Sequence, residues 1–146
     1  MLSKKAKYGL KAMFYLARNY GKGPVLIATL AGEENVPRKF LELILLDLKK
    51  HGLLYSKMGK GGGYELSKEP GKITIGQIVR ILDGPLAPLG CVSKTAYQKC
   101  EECLNERTCE IRKIMQQVRE ATAAILDTTS LVEAKTSQFE IKKLNK

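Results

Sequence analysis

The chain has no tryptophan, one histidine, and no unbroken run of about 18 apolar residues. Without such a run, no segment is suited to crossing a bilayer as a helix. The opening stretch MLSKKAKYGLK has lysines but no signal-type apolar block or cleavage site behind them, so the expected location is the cytoplasm, with no membrane partner. A reducing compartment in turn disfavours a framework of structural disulfides. With 146 residues, the chain can fill one compact core, or one small domain with an appendage, but not two ordinary domains. Negative charge is also scarce: 25 Lys and Arg oppose 15 Asp and Glu, a formal net charge of +10. Residues 1–72 carry 14 basic against 6 acidic side chains and residues 73–146 carry 11 against 9, so the excess sits in the first half. That asymmetry suits a surface that displaces counterions from nucleic acid better than it suits a lysine coat kept only for solubility.

The organising stretch is residues 35–66, NVPRKFLELILLDLKKHGLLYSKMGKGGGYEL. Leu41, Ile44, Leu45 and Leu48 recur at helical spacing and predict one buried face. Pro37 suits the first helical turn, where its missing N–H has no partner to lose. His51 and Gly52 end the helix: glycine takes the left-handed conformation after the last turn, and Lys49, Lys50 and His51 suit the negative end of the dipole. His51 is read as a helix-end residue. Leu53, Leu54 and Tyr55 on one side and Tyr64, Glu65 and Leu66 on the other flank MGKGGG and predict a β-hairpin with Lys57 and Lys60 at its tip. A helix with a cationic hairpin after it is the winged form of helix-turn-helix, the helix for a major groove and the wing for phosphates or a minor groove.

Ahead of this stretch, Leu10, Met13, Phe14 and Ala17 predict a helix over residues 4–20, with Lys4, Lys5, Lys7 and Lys11 at its start and outer side. Gly21 to Pro24 ends it. A short second helix over residues 25–34 rests on Ile27, Leu30 and Ala31, and residues 32–36 turn into the third. On that third helix, the buried stripe turns Lys39, Glu42, Leu43, Leu46 and Lys50 outward, with Arg38 at the edge. Arg38 and Lys39 lie in the first turn, where major-groove readers touch base edges. Glu42 can accept from a cytosine amino group or pair with Arg38 one turn away. Leu43 and Leu46 are expected to pack on the second helix or meet a thymine methyl.

Glu69, Pro70 and Gly71 make a linker-like break, after which Thr74 and Gln77 form a capping box opening a helix through Ile78, Ile81 and Leu82. It ends before Asp83, Gly84 and Pro85, in a loop that delivers the cysteines. The longest helix is expected over residues 106–127, where Ile111, Ile114, Val118, Ala121 and Ile125 alternate in steps of three and four, the spacing of a seam between two helices. Such a face packs either on its own domain or on a second copy, and two-fold symmetry would match a palindromic site. Ser130 and Glu133 suggest one more capped turn, and from Thr136 on the tail, with three lysines in its last five residues, is expected to fray.

All four cysteines, Cys91, Cys100, Cys103 and Cys109, lie within 19 residues as C-x8-C-x2-C-x5-C. Four thiolates from a loop and a helix start can converge on one centre, and four is the ligand count of an iron–sulfur cluster or a tetrahedral zinc. Reversible thiol switching at Cys100 and Cys103 is the rival, although Glu101 and Glu102 between them disfavour thiolate and no Trp or Pro makes the pair thioredoxin-like.

Together these features resemble the IscR/NsrR-type (Rrf-two) family of bacterial winged-helix regulators over nearly the whole chain. Tyr8, Gly9, Leu10, Ala12 and Met13 match its opening segment, Phe40, Leu41, Glu42, Leu45 and Leu48 its reading helix, and Gly52, Leu53 and Leu54 the residues just after that helix. Gly61 to Leu66 match its wing and Ile75 to Asp83 the next helix. The GGGY wing with a cysteine loop is the specific part. The resemblance implies dimeric transcription factors, several of which sense iron–sulfur status, nitric oxide or redox state. It implies DNA contacts from Arg38, Lys39 and the wing from Lys57 to Gly62, including Lys60 and Gly61, and cluster ligation by the loop cysteines. Cluster-binding members space three cysteines by five residues each, and only Cys103 and Cys109 keep that spacing here. Where relatives often carry a wing arginine, this chain has Met58.

The expected fold is mainly α with a small β-wing: a winged helix-turn-helix over residues 1–72, then a linker helix, cysteine-rich loop and dimerisation helix over 73–127, and a tail over 128–146. The expected function is that of a homodimeric regulator binding double-stranded DNA at a palindromic operator. Its affinity would be set by a [2Fe–2S] or [4Fe–4S] cluster or by the redox state of the cysteine loop. The alternatives are a zinc-stabilised or partner-responsive regulator without a cluster, an RNA-binding winged helix, and a thiol oxidoreductase. The oxidoreductase lacks a placed base, a cofactor loop or a suitable acid, so the chain is not expected to be an enzyme.

Overall fold

The computed structural model of the chain describes residues 2–135, so the tail expected to fray from Thr136 lies outside the described residues. The order of elements is α1 (Lys4–Arg18), α2 (Ile27–Glu34), α3 (Arg38–Lys50), β1 (Leu54–Lys57), β2 (Gly63–Leu66), α4 (Ile75–Asp83), α5 (Glu110–Leu126) and α6 (Leu131–Lys135). This is the mostly helical architecture with a two-stranded wing expected from the sequence.

The core sits where α1, α3 and α4 meet. Leu41, Ile44, Leu45 and Leu48 of α3 are all at 0% exposure, so the predicted stripe is the buried one. Each such side chain contributes about 1.5–3 kcal/mol when removed from water. Pro37 stands just before α3 as its capping residue rather than within the first turn. The face of α1 is rotated from expectation. Ala6, Gly9, Ala12, Met13, Leu16 and Ala17 are buried, whereas Leu10 and Phe14 are partly buried at the edge. Four of the buried residues are small, and at Gly9 the approach of α4 and α3 is so close that a Cβ would stand 2.2 Å from Leu82 Cδ1, which a reading based on large apolar side chains alone does not reveal. Of the residues proposed for α2 only Leu30 is fully buried. The turn after it depends on Asn35, which takes the left-handed conformation at φ 52°.

The capping box on α4 is present in full: Gln77 N–H donates to Thr74 Oγ1 at 3.2 Å and Thr74 N–H to Gln77 Oε1 at 3.0 Å. Ser130 and Glu133 make the same exchange ahead of α6. That helix returns to the head: Leu131 is fully buried and its N–H donates to Ile73 O at 3.0 Å. Residues beyond 72 thus supply part of the core over which the wing and α3 are mounted. Between α4 and α5, Arg80 holds Asp127 through both carboxylate oxygens, with Nη2 to Oδ2 at 2.9 Å. No helix among the described residues is long and apolar enough to cross a membrane.

Candidate nucleic-acid interface and cysteine loop

Helix α3 presents Arg38, Lys39, Glu42, Leu43, Leu46 and Lys50 on its exposed side. Arg38 Nε stands 3.5 Å from Glu42 Oε1, so the i, i+4 pairing forms. It links exposed side chains across a turn, which makes it weak and easily exchanged for another partner. Leu43 and Leu46 remain 62% and 41% exposed, so neither is buried against α2. Asp47 is engaged differently: Lys5 Nζ of α1 lies 2.7 Å from its Oδ2, and this bond holds the carboxyl below its ordinary value. Arg18 pairs with Glu34 at 2.7 Å and Lys11 Nζ reaches Glu34 O at 3.2 Å. Three cations of α1 thus tie the head together. Lys39, Lys50, Lys57 and Lys60 are exposed and make no ion pair among the described residues.

The wing pairs Leu54 with Leu66, Tyr55 with Glu65, Ser56 with Tyr64 and Lys57 with Gly63. Its tip exposes Lys57 and Lys60, with Met58 at 92% exposure between them. Val25 supplies a third, single-residue rung. Its N–H donates to Tyr64 O and its O accepts from Tyr64 N–H, both at 2.8 Å. This anchor is not visible in the sequence, where Val25 reads as the start of α2. It leaves a trace in the glycines: a Cβ on Gly63, at φ 142°, would stand 2.2 Å from Val25 O, and one on Gly62 would stand 2.2 Å from Lys57 O. Gly62 is buried inside the turn it shapes, and Gly61 is exposed beside Lys60.

His51 caps α3, with Nδ1 2.8 Å from Asp47 O, in keeping with a helix-end role.

The cysteines are spread along the loop between α4 and α5. Cys91 is buried in a single 3-10 turn, Gly90–Val92. Cys100 is exposed and donates to Glu102 Oε2 at 3.0 Å, which pushes its thiol above the ordinary value and depresses the Glu102 carboxyl. The expectation that these acids disfavour thiolate thus has a specific bond behind it. Cys103 comes next, in the turn closed by its own N–H on Cys100 O at 3.2 Å. Cys109 caps α5, its Sγ accepting from Arg112 N–H at 3.4 Å. Two cross-links shape the loop: Gln98 N–H donates to Gly90 O at 3.0 Å, and the Tyr97 hydroxyl donates to Glu106. All four sulfurs are thiols, and among the described residues no three Cys, His, Asp or Glu side chains gather closely enough to hold a metal. By chemistry the donor set fits a thiolate-ligated centre, four soft ligands on one loop.

Helix α5 begins at Glu110, four residues later than expected, because Cys109 is its cap. The stripe expected as a seam is open to solvent: Ile111, Ile114, Val118 and Ile125 are 45–64% exposed, and Ala121 is exposed too.

A family model described as "Iron-dependent Transcriptional regulator" (Rrf2) matches residues 2–135. A putative HTH-type transcriptional regulator, rrf2-like, of Rhodobacter capsulatus is 41% identical over 134 residues, covering 90% of this chain and 89% of that protein. Among solved structures, CymR, the global cysteine regulator of Bacillus subtilis, superposes with a TM-score of 0.76 at 32% identity over 92% of this chain and 95% of that one. IscR of T. potens gives 0.73 at 28% identity over 92% and 85%.

Proposed function

Since the chain belongs to the Rrf2 family of transcriptional regulators, and not to a family of enzymes, we propose that it acts as a homodimer on double-stranded DNA under the control of its cysteine loop. The observation that carries the DNA reading is the exposed placement of Lys39 and Lys50 on α3 and of Lys57 and Lys60 on the wing that follows it, none of them drawn into an ion pair among the described residues. Arg38 and Lys39 in the first turn of α3 read base edges, and Glu42 releases Arg38 or accepts from cytosine. Lys50 and the wing lysines contact phosphates, which fixes register and makes affinity fall with salt. Gly61 and Gly62 keep the wing tip thin enough to approach the backbone.

Dimerisation through α5 covers the Ile111, Ile114, Val118, Ala121 and Ile125 stripe, which stays exposed among the described residues. A two-fold dimer presents its heads to an inverted repeat. Residues 1–72 form the DNA-binding unit, braced by α4 and α6, and residues 73–127 the sensing and dimerising unit.

Cys91, Cys100, Cys103 and Cys109 would hold an iron–sulfur cluster, a group whose charge and presence change with oxidant or nitric oxide. The chain couples that event to DNA through Cys109. Its sulfur caps α5, so engaging it elsewhere loosens the first turn of the helix that sets the spacing of the two heads. A loop with two conformations biased by a ligand is what a switch requires. A second reading, a regulator with structural zinc or a protein partner, draws on the spread of the four thiols and on the Cys100–Glu102 bond, which favours a protonated sulfur.

Anaerobic purification, a visible spectrum and metal analysis, with subsequent titration of loaded and empty protein onto inverted-repeat duplexes, test the proposal. Visible absorption with acid-labile sulfide and a change in duplex affinity between the two forms is the expected result. A colourless protein with one zinc per chain supports the second reading, and indifference of both forms to any duplex at low salt overturns the DNA reading itself.

A further inference from the structure

Arg119, midway along α5, is the one charged side chain among the buried polar residues described, with 8% of its side chain exposed. Its Nε has no hydrogen-bond partner among the described residues, and the bond from its Nη2 to Glu120 Oε1 is long at 3.3 Å. A guanidinium offers five N–H donors, and burying it so poorly matched is costly unless an anion completes it. It is too far along α5 to serve the helix start, and it lies off the exposed dimer stripe.

Arg119 lines a pocket of about 230 Å³ between α4, α5 and the first part of the cysteine loop. Lys94 and Arg80 line the same pocket, whose one carboxylate, Asp127, is already held by Arg80 through both oxygens. Ser93, itself buried, accepts from Ala96 N–H at 2.9 Å and keeps its own proton to donate. Pro85 and Leu86 add an apolar wall. The pocket thus combines a buried guanidinium whose Nε is unpartnered and whose one carboxylate partner, Glu120, is itself exposed, with a lysine, a hydroxyl donor, an apolar side and net positive charge.

We propose that this pocket is a binding site for a small oxyanion, the head group of a carboxylate or phosphate metabolite, received by Arg119, Lys94 and Ser93. A guanidinium pairs with either head through two parallel N–H bonds. Its ligand joins α5 to the residue 85–95 segment, the base from which the cysteine loop springs. The site gives the protein a second input beside its thiols. It requires neither DNA nor a metal, so it stands or falls independently of the function proposed above.

The test uses the full chain without DNA at low ionic strength, titrated separately with inorganic phosphate and with succinate, with potassium chloride at matched ionic strength as the control. Calorimetry and the thermal midpoint are the readouts. Saturable binding of phosphate, succinate or both, absent with chloride, is expected, and the probe that binds identifies the head group. Arg119→Gln and Lys94→Gln should each weaken binding by about tenfold to a hundredfold, the loss of a charge-assisted bond. Lys94 is exposed, so its replacement tests the site even where Arg119→Gln impairs folding. No saturable binding by the unaltered chain, or equal binding by the folded Lys94→Gln and unaltered chains, overturns the proposal.

Discussion

In the head, the side chains of Leu41, Ile44, Leu45 and Leu48 are wholly shut off from solvent, whereas in the loop from residue 85 to 109 only Cys91, Val92 and Ser93 are buried. The head is held by interlocking apolar faces from α1, α3, α4 and α6. The loop is held by isolated hydrogen bonds such as Gln98 to Gly90 and Tyr97 to Glu106. A segment with few buried apolar contacts opens at low free-energy cost, while a packed core opens only with the whole fold. The cysteine loop can therefore rearrange without unfolding the part that carries α3 and the wing.

The sharpest way to break this contrast is to delete one side chain from each region. Leu45→Ala should lower stability by about 2–5 kcal/mol, read from the urea midpoint, because it leaves a cavity at a fully buried site. Cys103→Ala should shift the same midpoint by less than about 0.5 kcal/mol while abolishing metal loading. A large loss from Cys103→Ala would mean that the loop is part of the core after all. Within the head, Arg38→Ala should cost about 1–3 kcal/mol on the preferred duplex and erase base discrimination, whereas Lys60→Ala should weaken every duplex alike and reduce the salt slope by about 1. Equal behaviour of the two would mean that α3 and the wing do not divide reading from gripping.

The smallest effect concerns pH. Arg80 holds the Asp127 carboxyl below its ordinary value of 3.8, so the unfolded chain takes up the proton more readily than the folded one. The stability from this pair is fully present above that ordinary value and is lost as pH falls through the depressed folded one. Asp127→Asn should flatten the acid limb of the thermal midpoint below about pH 4, with little change in its shape near neutrality.

Some of these features can be read from the chain and others cannot. The α3 stripe is legible because four large apolar residues at helical spacing leave one way to bury them. The capping boxes at Thr74 and Ser130 are legible because both partners lie within one turn. The α1 face is legible in part: Met13 and Ala17 are buried as their spacing says, but Ala6, Gly9, Ala12 and Leu16 share that side while Leu10 and Phe14 sit at its edge. The four cysteines are plain in number and spacing, and their roles in the loop, one buried, one bonded to Glu102, one capping α5, are not.

By itself the order of residues determined the helices, the wing and the surplus of positive charge on the first half, because periodicity, caps and turn glycines act over a few neighbours. Only tertiary structure decided that Val25 braces the wing, that Leu131 returns to the core and that Arg119 is buried at a pocket it shares with Lys94. Those placements join residues far apart in the chain, and such pairings are settled by which faces can be buried together, a property of the packed whole.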